Sequence, residues 1–551
     1  MASLRNVSVG ALVFVLLFGS VVWAQDDESS FSLNGYIQTQ FGVFVSQYEN
    51  KRDEDGFPKE HGGFYGQASM FRNTLQLEST WQPFEQVAVF AMFRGVRSAS
   101  LLADRFAQFP ELFADTSWNY DPNVQREKRM HVWDKYYNEA EFRELYVDVY
   151  PTDWWSLRLG RQQVAWGESA NARLLDVINP IDSTWHVSIF EAFEEQRIPL
   201  WMGKTLFDIA PISASIEGVF VPLIDDPEDT VTVPLTFVGA WGLPVTQKND
   251  FQSNLKIVRK TLLYPENDLT DSRYGLRWKH IIGPFTYTLV YYHGHNMSPP
   301  IQKYAEQTKN PNAEGFREVE VFLDFPKQEH YGLSWEWVMP QPVSTVLRFE
   351  GTFLPGRYYP VNSFLAPGTM TSPRRRGGWF QSPTNADKLR ADFHRERKDT
   401  YNYGLTLLRP NQIRWLNPTS SIIVQAQFIQ TVIPGGAQIK EEFADGTKEE
   451  NEDWFVTAIT GYDSSKISEI QTIYAFGILT SYAHGLVSPF IVGVYDENSK
   501  SGILSTSLNF TLGNSWRIKA AYNAIEGEHP YKGLGLFRDR DEVNVRVRYQ
   551  F

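Results

Sequence analysis

Near the carboxy end of the chain, Val543, Val545, Val547, Tyr549 and Phe551 alternate with Asn544, Arg546, Arg548 and Gln550. Successive side chains of a β-strand point to opposite faces, so a period of two separates these sets completely. A face with two arginines suits a water-filled lumen and the apolar face suits lipid, which predicts a wall strand of a transmembrane β-barrel. On this segment alone, the last strand of a soluble β-sandwich stands as the alternative.

The other end of the chain decides between them. Residues 1–24 carry a single charge, Arg5, and an apolar run from Val9 to Trp23; Val22 and Ala24 supply the small residues that precede a cleavage point. The pattern predicts a secretory signal peptide removed between Ala24 and Gln25. No later stretch is long and apolar enough for a membrane-spanning helix, so residues 25–551 are expected to form one exported barrel domain, with no linker-like break in composition. The chain has no Cys, which excludes disulfides, a lipoprotein anchor and a c-type haem site. Aromatic residues make up 15% of the chain and mean hydropathy is −0.35, as expected of strands that are apolar on one face only. With 52 basic against 65 acidic residues the net charge is −13, which argues against nucleic acid as a partner.

The period-two pattern places eighteen strands at 33–46, 67–81, 86–96, 140–150, 155–166, 197–209, 213–222, 272–281, 285–294, 328–339, 344–353, 399–409, 420–432, 467–481, 487–495, 501–511, 516–525 and 541–551, within a range of 16–20. Tight turns at Gln82–Glu85, Pro151–Asp153, Ala210–Pro211, Gly283–Pro284, Pro340–Pro342 and Gly513–Ser515 alternate with long polar connections, as short periplasmic turns alternate with long extracellular loops. The segments 316–325 and 454–461 are also strand-like and read as hairpins in outer loops or as a missed pair.

Along these strands Tyr331, Leu333, Trp335 and Trp337, Leu504 and Leu508, and Trp516 and Tyr522 fall on the lipid side. Their alternating partners include Glu336, Arg348, Glu350, Arg277, Lys279, Gln427, Arg72, Arg517 and Lys519, together with Arg546 and Arg548. An Arg or Lys facing lipid at mid-depth costs roughly 2–4 kcal/mol, so these groups are assigned to the lumen. The region from Glu141 to Asp182 departs from strict alternation. Arg158, Gly160, Gln162 and Trp166 fall inside and Arg161 outside; either Gly160 marks a bulge that turns Arg161 inward, or Arg161 lies away from mid-membrane. Glu144 and Asp148 on the preceding strand are candidate partners of Arg158 and Arg161, and Glu168 follows closely. The group reads either as an ion-pair network bracing the wall or as a selective constriction.

The same residues carry a family resemblance. The run LRLGRQQVAWGES at 157–169, with FRELYVDVYP before it and DVINPID after it, resembles an uncharacterised family of proteobacterial outer-membrane β-barrel proteins. A weaker likeness lies in YGLRWKHIIGPFTYTLVYYHG and the final strand. The resemblance implies an outer-membrane location and a gene neighbourhood with RND-superfamily exporters, hence an exporter or periplasmic component as partner and hydrophobic compounds as cargo. Tyr549 and Phe551 resemble the terminal aromatic signal read by the barrel assembly machinery, and outer-membrane lipid and lipopolysaccharide would surround the wall.

Other motifs are weaker. His293 and His295 share a strand face as a metal pair would, but read better as part of an aromatic cluster with Tyr291 and Tyr292. The acidic run Glu441–Asp453 and the basic run Pro373–Gly377 read as solvated loops. No nucleophile–base signature appears, so neither enzyme activity nor a cofactor is expected. The sequence therefore predicts a substrate-selective, porin-like channel for small molecules. The rivals are a barrel that moves lipid or hydrocarbon with an RND-type exporter, and a non-conducting docking barrel.

Overall fold

The computed structural model describes residues 30–46, 65–98, 137–169, 173–232, 241, 255–265, 269–297, 301–312, 317–360, 380–383, 385–392, 395–438, 440–442, 448–450, 466–528, 533–538 and 540–551. The expected signal peptide, the basic run at 373–377 and the strand-like segment 454–461 lie outside them.

Eighteen strands make the wall: β1 (Ser30–Phe44), β2 (Ala68–Phe84), β3 (Val87–Ser98), β4 (Asn138–Thr152), β5 (Trp155–Gln162), β6 (Leu200–Ile209), β7 (Ala214–Val221), β8 (Arg273–Ile282), β9 (Phe285–His295), β10 (Lys327–Met339), β11 (Thr345–Pro360), β12 (Arg395–Asn411), β13 (Ile422–Val432), β14 (Ile470–Leu479), β15 (Val487–Asp496), β16 (Ser501–Leu512), β17 (Trp516–Gly527) and β18 (Glu542–Gln550). Each pairs antiparallel with its sequence neighbours, and β18 returns to β1 through pairs such as Gln38↔Arg548 and Gln40↔Arg546. The sheet is a closed antiparallel β-barrel. Closure leaves no unpaired edge, the condition for strands to span lipid.

Turns and loops alternate as the sequence predicts. The β2–β3, β4–β5, β8–β9 and β16–β17 connections are tight and lie at the rim where β1 begins and β18 ends, while the opposite rim carries the long connections. Three of those, leaving β7, β9 and β11, build a separate five-stranded sheet that includes Arg317–Asp324, so the strand-like segment at 316–325 is an outer-loop strand rather than part of the wall.

Side chains divide as the alternation requires. Phe31, Leu33, Ile37 and Phe41 of β1, Tyr331, Leu333 and Trp337 of β10, and Val543, Val545 and Tyr549 of β18 are exposed on the outer surface, whereas Gln38, Gln40, Asn544 and Glu542 are buried inside. An outer wall of exposed apolar side chains around a polar interior is the inverse of a water-soluble protein and fits a barrel surrounded by lipid.

Expected strand limits fail in three informative places. β5 stops at Gln162 rather than at 166, because the Asn179 side chain takes over the next ladder positions: Val164 N donates to Asn179 Oδ1 at 2.8 Å, and Asn179 Nδ2 donates to the Gln162 carbonyl at 3.3 Å and the Ile198 carbonyl at 2.9 Å. β11 and β12 run past their expected limits of 353 and 399, to Pro360 and from Arg395, across an irregularity between Leu354 and Arg357 that Gly356 absorbs at φ +55°.

Candidate constriction in the barrel lumen

The chain between β5 and β6 turns into the barrel instead of standing above it. Its base is clipped shut: Ile198 N donates to the Pro180 carbonyl at 2.9 Å, and Arg173 and Arg197 both reach Asp176 Oδ2 at 2.9 Å. Two arms extend from this base across the lumen.

The first arm crosses toward β7–β13. Trp166 Nε1 donates to Glu217 Oε1 on β7 at 2.6 Å, and Arg277 on β8 holds the other oxygen of Glu217 at 3.0 Å. The Glu168 backbone N–H donates to Glu350 of β11, Lys279 of β8 lies 3.8 Å from the Glu168 carboxylate, and Gln427 of β13 donates to Ser169 Oγ at 2.5 Å. Glycines on the wall make room for this arm. A Cβ on Gly332 would lie 2.2 Å from Leu175 Cδ2, and one on Gly275 would lie 2.8 Å from Trp166. Apolar side chains complete the contact, with Val164, Trp166, Leu175 and Ile178 packed on inward Leu200, Met202, Val219, Val221, Val290 and Tyr292.

The second arm crosses toward β1–β4 and β18. His186 Nε2 lies 2.8 Å from Glu542 Oε2 and its Nδ1 3.6 Å from Glu191 Oε1. Arg72 of β2 grips Glu191 with both terminal nitrogens, at 3.1 and 2.7 Å, in a pair only 2% and 3% exposed. Glu195 meets Arg548 at 2.8 Å and Arg546 at 3.5 Å, while Arg94 and Arg143 donate to its main-chain carbonyl at 3.2 and 2.8 Å. Burial opposes ionisation of Glu191, but Arg72 and then His186 outweigh it and hold the carboxyl well below the usual range. For Glu195 burial is likewise offset, chiefly by Arg546 with Arg72 and Arg94 behind it, and the carboxyl is again lowered. Burial alone would lower His186; Glu542 and Glu191 reverse this and raise it.

The wall residues singled out from sequence fall around these arms. Arg158 pairs with Asp148 at 2.6 and 2.8 Å and lies over the Tyr146 ring, and Glu144 accepts from the Gln163 backbone. Gln162 is fully buried and donates to the Met202 carbonyl at 3.1 Å. Trp166 is buried in the first arm rather than on a strand. Arg348 pairs with Glu336 across β10 and β11, while Glu350 serves the arm. Register runs unbroken through Gly160, so no bulge turns Arg161 inward. Arg161 pairs with the outward Leu145 and Trp201 at the last rung between β4 and β5, where Glu141, at 2.6 Å, holds it together with the carbonyls of Phe142 and Pro199. Its partner is therefore Glu141 rather than Glu144 or Asp148. The bulge lies on β4 instead, between the Met92 and Phe93 pairings, and turns both Arg143 and Glu144 inward.

His186, Glu191 and Glu195 escaped the sequence reading because an irregular connection has no periodicity to betray which way its side chains face. His293 accepts or donates at 2.6 Å to Glu329 and stacks on Tyr274, and His295 lies 3.9 Å from Asp271; among the described residues no three metal-ligating side chains converge.

The sequence matches, over residues 5–551, a family described as "Protein of unknown function (DUF1302)". No curated protein matches it. Among solved structures, Pseudomonas aeruginosa OccK5 (OpdH) aligns at 8% identity over 95% of this chain and 98% of its own, with a TM-score of 0.41. Acinetobacter baumannii OccAB4 aligns at 9% over 95% and 99%, with a TM-score of 0.44, and the outer membrane channel DcaP of Acinetobacter baumannii at 8% over 96% and 99%, with a TM-score of 0.35.

Proposed function

The chain belongs to the DUF1302 family of proteins of unknown function, and from that premise we propose that it is an outer-membrane channel for small molecules, exported by a cleaved signal peptide and made selective by the β5–β6 connection inside its lumen. The observation that carries this reading is the reach of that connection. One segment touches inward groups on β2, β3, β4 and β18 through its second arm and on β7, β8, β11 and β13 through its first. A barrel of this many strands is wide enough to hold water, and an inserted segment with charged contacts on both sides narrows it to a path that size and charge control. The Arg158–Asp148 and Arg277–Glu217 pairs brace the wall beside that path. No step of this function requires catalysis or a cofactor.

The test is single-channel recording of the purified mature protein in planar bilayers. Discrete current steps with a charge preference support the reading. Silence from folded, inserted protein rejects it.

The apolar inward face of Leu200, Met202, Val219, Val221, Val290 and Tyr292, covered here by the first arm, would line the lumen once that arm moved, and it favours a second reading, a barrel that passes hydrophobic compounds received from an RND-type exporter. That reading predicts long-chain molecules retained through purification and extracted by organic solvent. A barrel that neither conducts nor retains such molecules would be a docking protein for a periplasmic component.

A further inference from the structure

The inward faces of β17 and β18 concentrate positive charge. Arg517 stands opposite Arg548 and Lys519 opposite Arg546, two like-charged pairs on adjacent strands, and neighbouring Gln38 and Gln40 accept from Arg548 at 2.8 Å and from Arg546 at 3.2 Å. Like charges directly opposite each other destabilise a sheet, and here two such rungs lie side by side. The next inward-facing rung along the same strands is neutral, Ala521 facing Asn544. The opposing charge comes from outside the sheet. Glu195, where the second arm leaves its base, sets its carboxylate 2.8 Å from Arg548 and 3.5 Å from Arg546. Lys519, among the described residues, has neither an ion pair nor a side-chain hydrogen bond, and Arg517 donates only to the carbonyls of Gly513 and Trp516. Glu195 is the carboxylate in direct contact with this set, Glu191 acting on Lys519 and Arg546 only from farther off while Arg72 and His186 hold it.

We propose that Arg517, Lys519, Arg546 and Arg548 form a binding site for small carboxylates, held at rest by Glu195, so that an incoming carboxylate displaces Glu195 and unlatches the second arm. Two guanidinium groups accept a carboxylate in the forked geometry that arginine favours. Arg517 and Lys519, which make no direct ion pair among the described residues, give a second carboxylate of the same solute its place, so dicarboxylates fit the whole set. The proposal deepens the channel reading and rests on it only for what happens after release.

The chain has no Cys, so a single introduced thiol reports on the arm. Val187, on that arm, is buried among Phe44, Phe190 and Trp241, and Val187→Cys in the full-length refolded barrel is expected to react slowly with a charged methanethiosulfonate. Succinate should speed that reaction relative to chloride at equal ionic strength. Adding Glu195→Gln should give the fast rate without succinate, a change of about tenfold for loss of a charge-assisted contact. Lys519→Gln, which removes no contact from the wall, should weaken the response to succinate while leaving the heat-modifiable shift of the folded barrel intact. A rate indifferent to succinate, or a response that survives Lys519→Gln together with Arg546→Gln, overturns the site, and a response to phosphate in place of succinate overturns its carboxylate class. Bilayer recordings of the same variants separate the two ideas: absent currents with a succinate-dependent thiol reject the channel and keep the site.

Discussion

Gly332 shows how much of the lumen rests on single atoms. It sits in a strand, where β-branched residues are ordinarily welcome, yet a Cβ there would press against Leu175 at 2.2 Å. Gly332→Val is expected to leave the barrel folded and expel the first arm, read as a larger single-channel conductance with an unchanged heat-modifiable shift. The second arm responds to pH instead. Because the folded state raises His186, between Glu542 and Glu191 and with Arg72 beyond, its contribution is complete below the unfolded value of about 6.5 and fades as pH rises through the higher folded one. Glu191 and Glu195 are lowered, so theirs is present above an unfolded value of about 4.3 and fades as pH falls through the folded ones. Labelling at Val187→Cys, taken relative to the same thiol in the unfolded chain at each pH so that thiol ionisation cancels, should therefore be slowest between those two values and accelerate on both sides. At this scale the sequence revealed wall residues, because alternation fixes the face of Arg72 or Arg546. It left the side chains that meet them hidden.

Among the elements, all eighteen strands were legible from alternation. The errors gathered where a side chain or a bulge replaces the backbone ladder. Asn179 ends β5 from seventeen residues away in sequence, and nothing local to Trp166 announces it. The extension of β11 and β12 beyond the wall followed the same logic, since a glycine at positive φ lets pairing resume after an irregularity. The β5–β6 connection adds nothing to the closed ladder between strands, which has its full set of neighbours without it. Replacing residues 166–195 with a short Gly/Ser linker should therefore yield a barrel that still shows a heat-modifiable shift, with conductance raised several-fold and charge preference reduced. A variant that fails to fold would assign the connection a structural role instead.

Across the whole molecule, the alternation of turns and loops and the even strand count go with β1 beginning and β18 ending at one rim. The terminal residue takes part in that closure: Phe551 N donates to the Gly35 carbonyl at 3.0 Å, and Gly35 N donates to the Phe551 carbonyl at 3.1 Å. Phe551→Ala keeps these backbone bonds while removing the aromatic ring. We expect slower assembly, measured as a smaller heat-modifiable fraction after a fixed refolding time, with the finished barrel unchanged in conductance. The identity of the cargo was beyond reach at this scale, since fold constrains the width of a lumen far more than its chemistry.

The second arm grips Arg72 and Arg94 on one side of the β1–β18 seam and Glu542, Arg546 and Arg548 on the other. Those partners are separated by almost the entire chain, and pairing between segments so distant is slow to form. The arm is thus a fastener as well as an obstruction.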